Sequence, residues 1–169
     1  MTYFQLFEIP VQLKVDRTAL SKKFFELSRT YHPDFFTNES DEKQAEVLEK
    51  SAILNKAWKT FQSSDATIKY VLMEKKLLEE EEQYELPPAF LMEVMDINEL
   101  LMDTDDAEAT KNIQQTIDNL QAEIYEPVVK TVEEYKEGVT TEAELLQVKD
   151  YYYKKKYLDR IRQQLAGMA

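Results

Sequence analysis

At 169 residues and 43% hydrophobic content, the chain can hold one ordinary domain or two small ones around a packed core. It has no cysteine and a single histidine, which excludes disulfides and thiolate chemistry and argues against any zinc, iron or cysteine-ligated cluster site, so no metal or other cofactor is expected. A net charge of −12 argues against nucleic acid as a partner, because phosphates require a basic surface.

Two glycines and five prolines among abundant Glu, Lys, Leu, Gln and Ala predict an all-α protein. The first residues lack the basic-then-apolar order of a signal peptide, and no apolar run approaches the roughly 20 residues of a bilayer span. The expectation is therefore a soluble cytoplasmic protein with no membrane partner. The charge is unevenly placed. Residues 1–74 carry ten Lys/Arg against eleven Asp/Glu, whereas residues 75–169 carry eleven against twenty-two. This asymmetry suggests two modules with different partners.

In chain order, a short aromatic helix near Thr2–Phe7 ends before Pro10. Asp16 or Thr18 can cap the next helix, which runs to about Tyr31 with Leu20, Phe24, Leu27 and Tyr31 as its stripe. Pro33 disfavours helical geometry at His32 and stops it there. After a polar loop, a second long helix spans about Asp41–Gln62, with Val47, Ser51, Leu54, Trp58 and Phe61 facing back. The two stripes predict an antiparallel hairpin, with the first helix packed across it. A helix from about Asp65 to Leu78 closes a module over residues 1–74.

Residues 75–86 read as an acidic linker. The run Glu79–Glu82 repels itself, and Pro87-Pro88 stops any helix entering from the left. The acids alone could equally solvate a continuing helix end; the proline pair favours a boundary. Residues 87–169 predict three helices, about 89–103, 106–137 and 141–166, closing an antiparallel bundle. Ile113, Ile117, Leu120, Ile124 and Val128 form the seam of the middle helix, and Tyr151, Leu158, Ile161 and Leu165 that of the last. Pro127 should kink or split the middle helix. Thr140 or Thr141 with Glu144, after Gly138, is a capping signal.

The tripeptide His32-Pro33-Asp34 carries little weight alone. Its setting carries more: a tyrosine-ended stripe before it, an aromatic helix ahead of both, and Asn55, Ala57 and Trp58 late in the second long helix. This arrangement resembles the J-domain, which implies a loop that activates an HscA/DnaK-type ATPase chaperone. The loop also has a physical logic. Pro33 restricts its own backbone and that of His32, Asp34 presents a carboxylate suited to a partner arginine, and His32 offers a hydrogen-bond donor. A catalytic imidazole is disfavoured, since no Ser, Cys, metal-ligand cluster or second His stands nearby in sequence, and no enzyme activity is expected. J-domains also dock through a basic face on the helix before the loop. Lys22 and Arg29 lie opposite the core stripe with Lys23 on the flank, and Glu26 interrupts the patch; each cation is alternatively a plain solvated residue. Where J-domains commonly carry lysine after the tripeptide, this chain has Phe35.

Ala89-Phe90-Leu91-Met92-Glu93 and Tyr157-Leu158-Asp159-Arg160-Ile161, with Tyr3-Phe4-Gln5-Leu6-Phe7 and Phe35-Phe36, resemble the HscB family of iron–sulfur cluster assembly over nearly the whole chain. On a helical wheel Phe90, Val94, Ile97 and Leu101 fall within about 40° of a core direction. Leu91, Met95 and Met102 lie about 100–140° away and Met92 about 200°, rimmed by Asp96 and Glu99, as on an adaptable binding surface. The alternative is a helix sandwiched between the first module and its own bundle. The resemblance implies that Leu91, Met92, Met95, Asp96, Glu99 and Tyr157 bind an IscU-type iron–sulfur scaffold. The family commonly has Leu where Met95 stands and Phe where Tyr157 stands. The rival readings are a J-domain protein with a different client and a non-chaperone helical oligomerisation protein.

Overall fold

The computed structural model describes residues 1–103 and 106–167, and every regular element among them is helical. Helix α1 (Tyr3–Leu6) is held by a reciprocal capping box between Thr2 and Gln5. Asp16 caps α2 (Arg17–Thr30), accepting from the N–H groups of Thr18 and Ala19 at 3.0 and 3.2 Å. Its end follows from Pro33: His32 is pushed to φ −73°, ψ 124°, outside helical space. A 3₁₀ turn, Pro33–Phe36, leads through Ser40, which caps α3 (Asp41–Phe61). Helix α4 (Ser64–Glu74) follows after a Ser63 cap.

Helices α2 and α3 lie antiparallel as expected. Phe24 stacks on Trp58 with centroids 5.0 Å apart, and at the loop end the Lys50 ammonium sits 5.3 Å from the Tyr31 ring centre. Helix α1 crosses them, with Phe4 and Phe7 each 5.2 Å from the Phe61 ring. The Tyr3 N–H donates to the Tyr70 hydroxyl at 2.9 Å, and those two rings stack. On α2 only Leu20 is fully buried; Phe24, Leu27 and Tyr31 are half-covered. The hairpin is therefore shallow and needs cover from elsewhere.

That cover comes from the second half of the chain. Helices α5 (Pro88–Met102), α6 (Ala107–Tyr125) and α8 (Glu142–Gly167) enclose a core of Phe90, Val94, Ile97, Ile113, Ile117 and Leu158. The expected middle helix is split, because Pro127 lacks an N–H and its ring obstructs the preceding turn. Helix α6 stops at Tyr125, a 3₁₀ turn covers Glu126–Val128, and a short α7 (Val129–Glu134) takes a new direction. Two seam assignments change as a result. Val128 and Tyr151 pack in the core of the α1–α4 hairpin module, together with Val132, Leu145 and Val148. Helix α8, about 39 Å long at 1.5 Å per residue, spans both cores. Its start is the Thr141/Glu144 capping box, after Gly138 at φ +80°.

The segment joining α4 to α5 lies along this long helix. Leu78 is buried in the first core, Glu80 pairs with Lys69 at 2.9 Å and Glu82 with Lys149 at 2.6 Å. Tyr84 stacks on Tyr153 and donates its hydroxyl to Asp150 at 2.7 Å. The acidic run thus has two of its four carboxylates neutralised by lysines from other elements, which sequence-local repulsion does not capture. Lys75 also pairs with Glu137, which accepts from the Tyr135 hydroxyl as well.

Candidate functional site

The helix stop at His32 and the 3₁₀ turn after it set the loop geometry. The His32 Nδ1 accepts the Asp34 N–H at 3.2 Å, so the ring caps the turn. With Nδ1 occupied as acceptor, the neutral ring carries its proton on Nε2, the nitrogen left for a partner. The Asp34 carboxylate lies 3.6 Å from Nδ1 and is 85% exposed, against 53% for His32. Pro33 is half-buried beneath them, so one ring fixes the backbone while the two polar groups face outward. Phe35 is 71% exposed with its ring edge-on to His32 at 5.8 Å. Chemically the loop can donate one hydrogen bond and accept a charged pair.

The α2 cations behave differently from one another. Lys22 and Arg29 are exposed, and among the described residues neither has an ion-pair partner. Lys23 is drawn to Glu8 beyond α1 at 2.7 Å, and its hydrogen bond holds the Glu8 carboxyl below the usual carboxylate range. Lys14 pairs with Glu133 at 3.3 Å, and Arg17 donates to Ser64 at 3.0 Å. The outward basic face is thus Lys22 and Arg29. A residue that sequence reasoning missed lies beside it: Phe25, 59% exposed, sits about 40° from Arg29 around the helix. The signal was available, since Phe25 falls off the Leu20–Phe24–Leu27 stripe.

Helix α5 opens on Pro88, whose missing N–H costs nothing at a first helical position. It buries Phe90, Val94, Ile97 and Leu101, and leaves Leu91, Met92, Met95 and Met102 in solvent. Met92 is 68% and Met95 60% exposed, so the sandwiched arrangement does not occur. Asp96 and Glu99 are exposed at the edge of this face. A cavity of about 410 Å³ opens beside Ala89 and Glu93 of α5, lined by Leu120 and Glu123 of α6 and by Asp150 and Lys154 of α8. Helix α5 also packs against α8. There Tyr157 is half-buried, its ring edge-on to Phe90 at 6.4 Å. The loop triad and the α5 face are thus each solvent-open, and they stand on different helices around different cores.

Comparison with known proteins bears on both halves. A family model described as the HscB C-terminal oligomerisation domain matches residues 86–166. The co-chaperone protein HscB homolog of Vibrio parahaemolyticus is 31% identical over 145 residues, covering 85% of this chain and 85% of its own. The homolog of Photobacterium profundum is 28% identical over 166 residues, covering 98% and 95%. Among solved structures, human co-chaperone protein HscB superposes with a TM-score of 0.79 at 26% identity, over 98% of this chain and 81% of that one. The Vibrio cholerae chaperone HscB gives a TM-score of 0.75 at 24% identity, covering 99% and 97%.

Proposed function

The chain belongs to the HscB family of co-chaperones, and from that premise we propose that it is a two-ended adaptor that delivers an IscU-type iron–sulfur scaffold to an HscA/DnaK-type ATPase chaperone. The hairpin module of residues 1–74 is the chaperone end. His32, Pro33 and Asp34 engage the ATPase, with Lys22 and Arg29 as the docking face and Lys23, paired with Glu8, on its flank. The Asp34 carboxylate accepts a charged pair from a partner arginine, and the His32 Nε2–H donates beside it. Engagement favours the hydrolysing conformation of the chaperone; the co-chaperone itself breaks no bond.

The other end is residues 87–169, joined through residues 75–86. Leu91, Met92 and Met95 seat the scaffold, with Asp96 and Glu99 on the rim and Tyr157 at the side. Any cluster on the scaffold is cargo and stays with it. Two surfaces on one body hold client and chaperone together, which raises the effective concentration of client at the ATPase. The adaptor works in the cytoplasm; no described helix is long and apolar enough to cross a membrane.

The observation that carries this reading is the pairing of a capped, outward-facing His32–Asp34 turn with a separate exposed methionine face on α5. The test is chaperone ATPase turnover with this protein and purified scaffold, added separately and together. Synergy is expected, and His32→Gln should abolish stimulation. Full stimulation by His32→Gln would sink the chaperone end, and unchanged scaffold binding by Leu91→Ala/Met92→Ala would sink the client end.

A further inference from the structure

Helix α8 concentrates positive charge in an acidic chain: Lys149, Lys154, Lys155, Lys156, Arg160 and Arg162 fall within one short stretch. Most of these cations are committed internally. Lys149 pairs with Glu82, Lys154 with Asp150 at 2.7 Å, Lys155 with Asp65 and Asp159, and Arg162 with Asp118 at 2.9 Å. Lys156 and Arg160 are exposed, and among the described residues neither has a carboxylate within ion-pair distance.

Helix geometry places these two on the flank of Tyr157, the α8 residue whose ring meets Phe90 of α5. With Tyr157 as origin, Ile161 and Leu158 lie about 40° and 100° toward the core, and Arg162, reaching α6, about 140°. Arg160 and Lys156 lie the other way, about 60° and 100° from Tyr157, on the solvent side. Arg160 follows Tyr157 by three residues, so the two are surface neighbours. The Lys156 ammonium sits 6.0 Å from the Tyr153 ring centre, one turn before Tyr157. Together they border a depression of about 290 Å³ between α8 and Asp65 of α4, whose carboxylates, Asp65 and Asp159, are both held by Lys155.

We infer that Lys156 and Arg160 form a basic rim of the client surface, opposite the acidic rim of Asp96 and Glu99. This rests on the reading of α5 as the client end. The occupant is a segment of the scaffold that carries carboxylates over α8, an apolar centre over Leu91–Met95 and a basic group over Asp96 and Glu99. A net charge of −12 repels nucleic acid or an anionic membrane, whereas a protein segment of mixed charge meets both rims. The two rims fix which way round the segment lies.

Calorimetric titration with purified IscU-type scaffold, at low and at physiological salt, tests the assignment. Lys156→Gln/Arg160→Gln should bind on the order of tenfold more weakly at low salt and show a flatter salt dependence than wild type. Lys156→Glu/Arg160→Glu should weaken binding further, while chaperone ATPase stimulation without scaffold stays unchanged. If Lys156→Glu/Arg160→Glu binds like wild type while Leu91→Ala/Met92→Ala does not, the basic rim is wrong and the client face stands. If Leu91→Ala/Met92→Ala also binds like wild type, the client face falls and the rim with it.

Discussion

Lys155 of α8 reaches Asp65 of α4 at 2.6 Å, a contact that spans 90 positions of sequence and ties the hairpin module to the long helix. The same ammonium holds Asp159 at 3.0 Å. Burial opposes the lysine's charge, but the hydrogen bonds to both carboxylates outweigh it and raise its pKa. Lys155→Ala leaves two carboxylates facing each other beside the largely buried Tyr151 and Tyr152. A loss of about 1–2 kcal/mol in urea unfolding is expected, since a half-buried charged pair is costly to break from one side. Asp65→Asn should cost less, because Asp159 still satisfies the lysine. An Asp65→Asn variant as stable as wild type would show that the contact does not tie the elements together.

Acid should loosen the joint before it unfolds the molecule. The hydrogen bond from Lys149 holds the Glu82 carboxyl below its usual 4.5, and hydrogen bonds from Lys75 and Tyr135 do the same for Glu137. A carboxyl whose folded pKa is depressed contributes stability above its unfolded value and loses it as pH falls through the folded one. Both contributions are therefore present at pH 7 and fade below about pH 4.5. Amide hydrogen exchange at residues 76–84 should accelerate between pH 5 and pH 3, after correction for intrinsic rates. Glu82→Gln should already exchange faster at pH 7 and gain less than wild type on acidification, the remainder belonging to Glu137. A Glu82→Gln variant with the wild-type pH response would remove Glu82 from this account.

Local signals made much of this architecture legible. Asp16, Pro33 and the Thr141/Glu144 pair act within a turn of their own positions, so the sequence shows the helix starts and the stop they cause. The α5 face was legible for the same reason, since wheel angles separate Phe90 and Val94 from Leu91 and Met95. Partnership between distant segments was not. Val128 and Tyr151 fit the periodicity of their own helices, and only the turn at Pro127 and the length of α8 hand them to the first core. Lys23 illustrates the limit at the chaperone end: the wheel puts it on the flank of the basic face, while Glu8, fifteen residues earlier, takes its charge. No periodicity within α2 encodes that partner.

Phe25 is the residue whose role separates stability from docking. Its ring is mostly in water, on the same side of α2 as Lys22 and Arg29, and it contributes little to either core. A large apolar side chain exposed between Lys22 and Arg29 suits a desolvated contact better than it suits folding. Phe25→Ala should leave the urea midpoint within about 0.5 kcal/mol of wild type. Under the function proposed here, half-maximal stimulation of the chaperone ATPase should require several-fold more of the variant, while its maximal stimulation stays near that of wild type. Loss of the maximum instead would assign Phe25 to the switching step with His32 and Asp34. An unchanged titration curve would leave chaperone docking to Lys22, Arg29 and the loop alone.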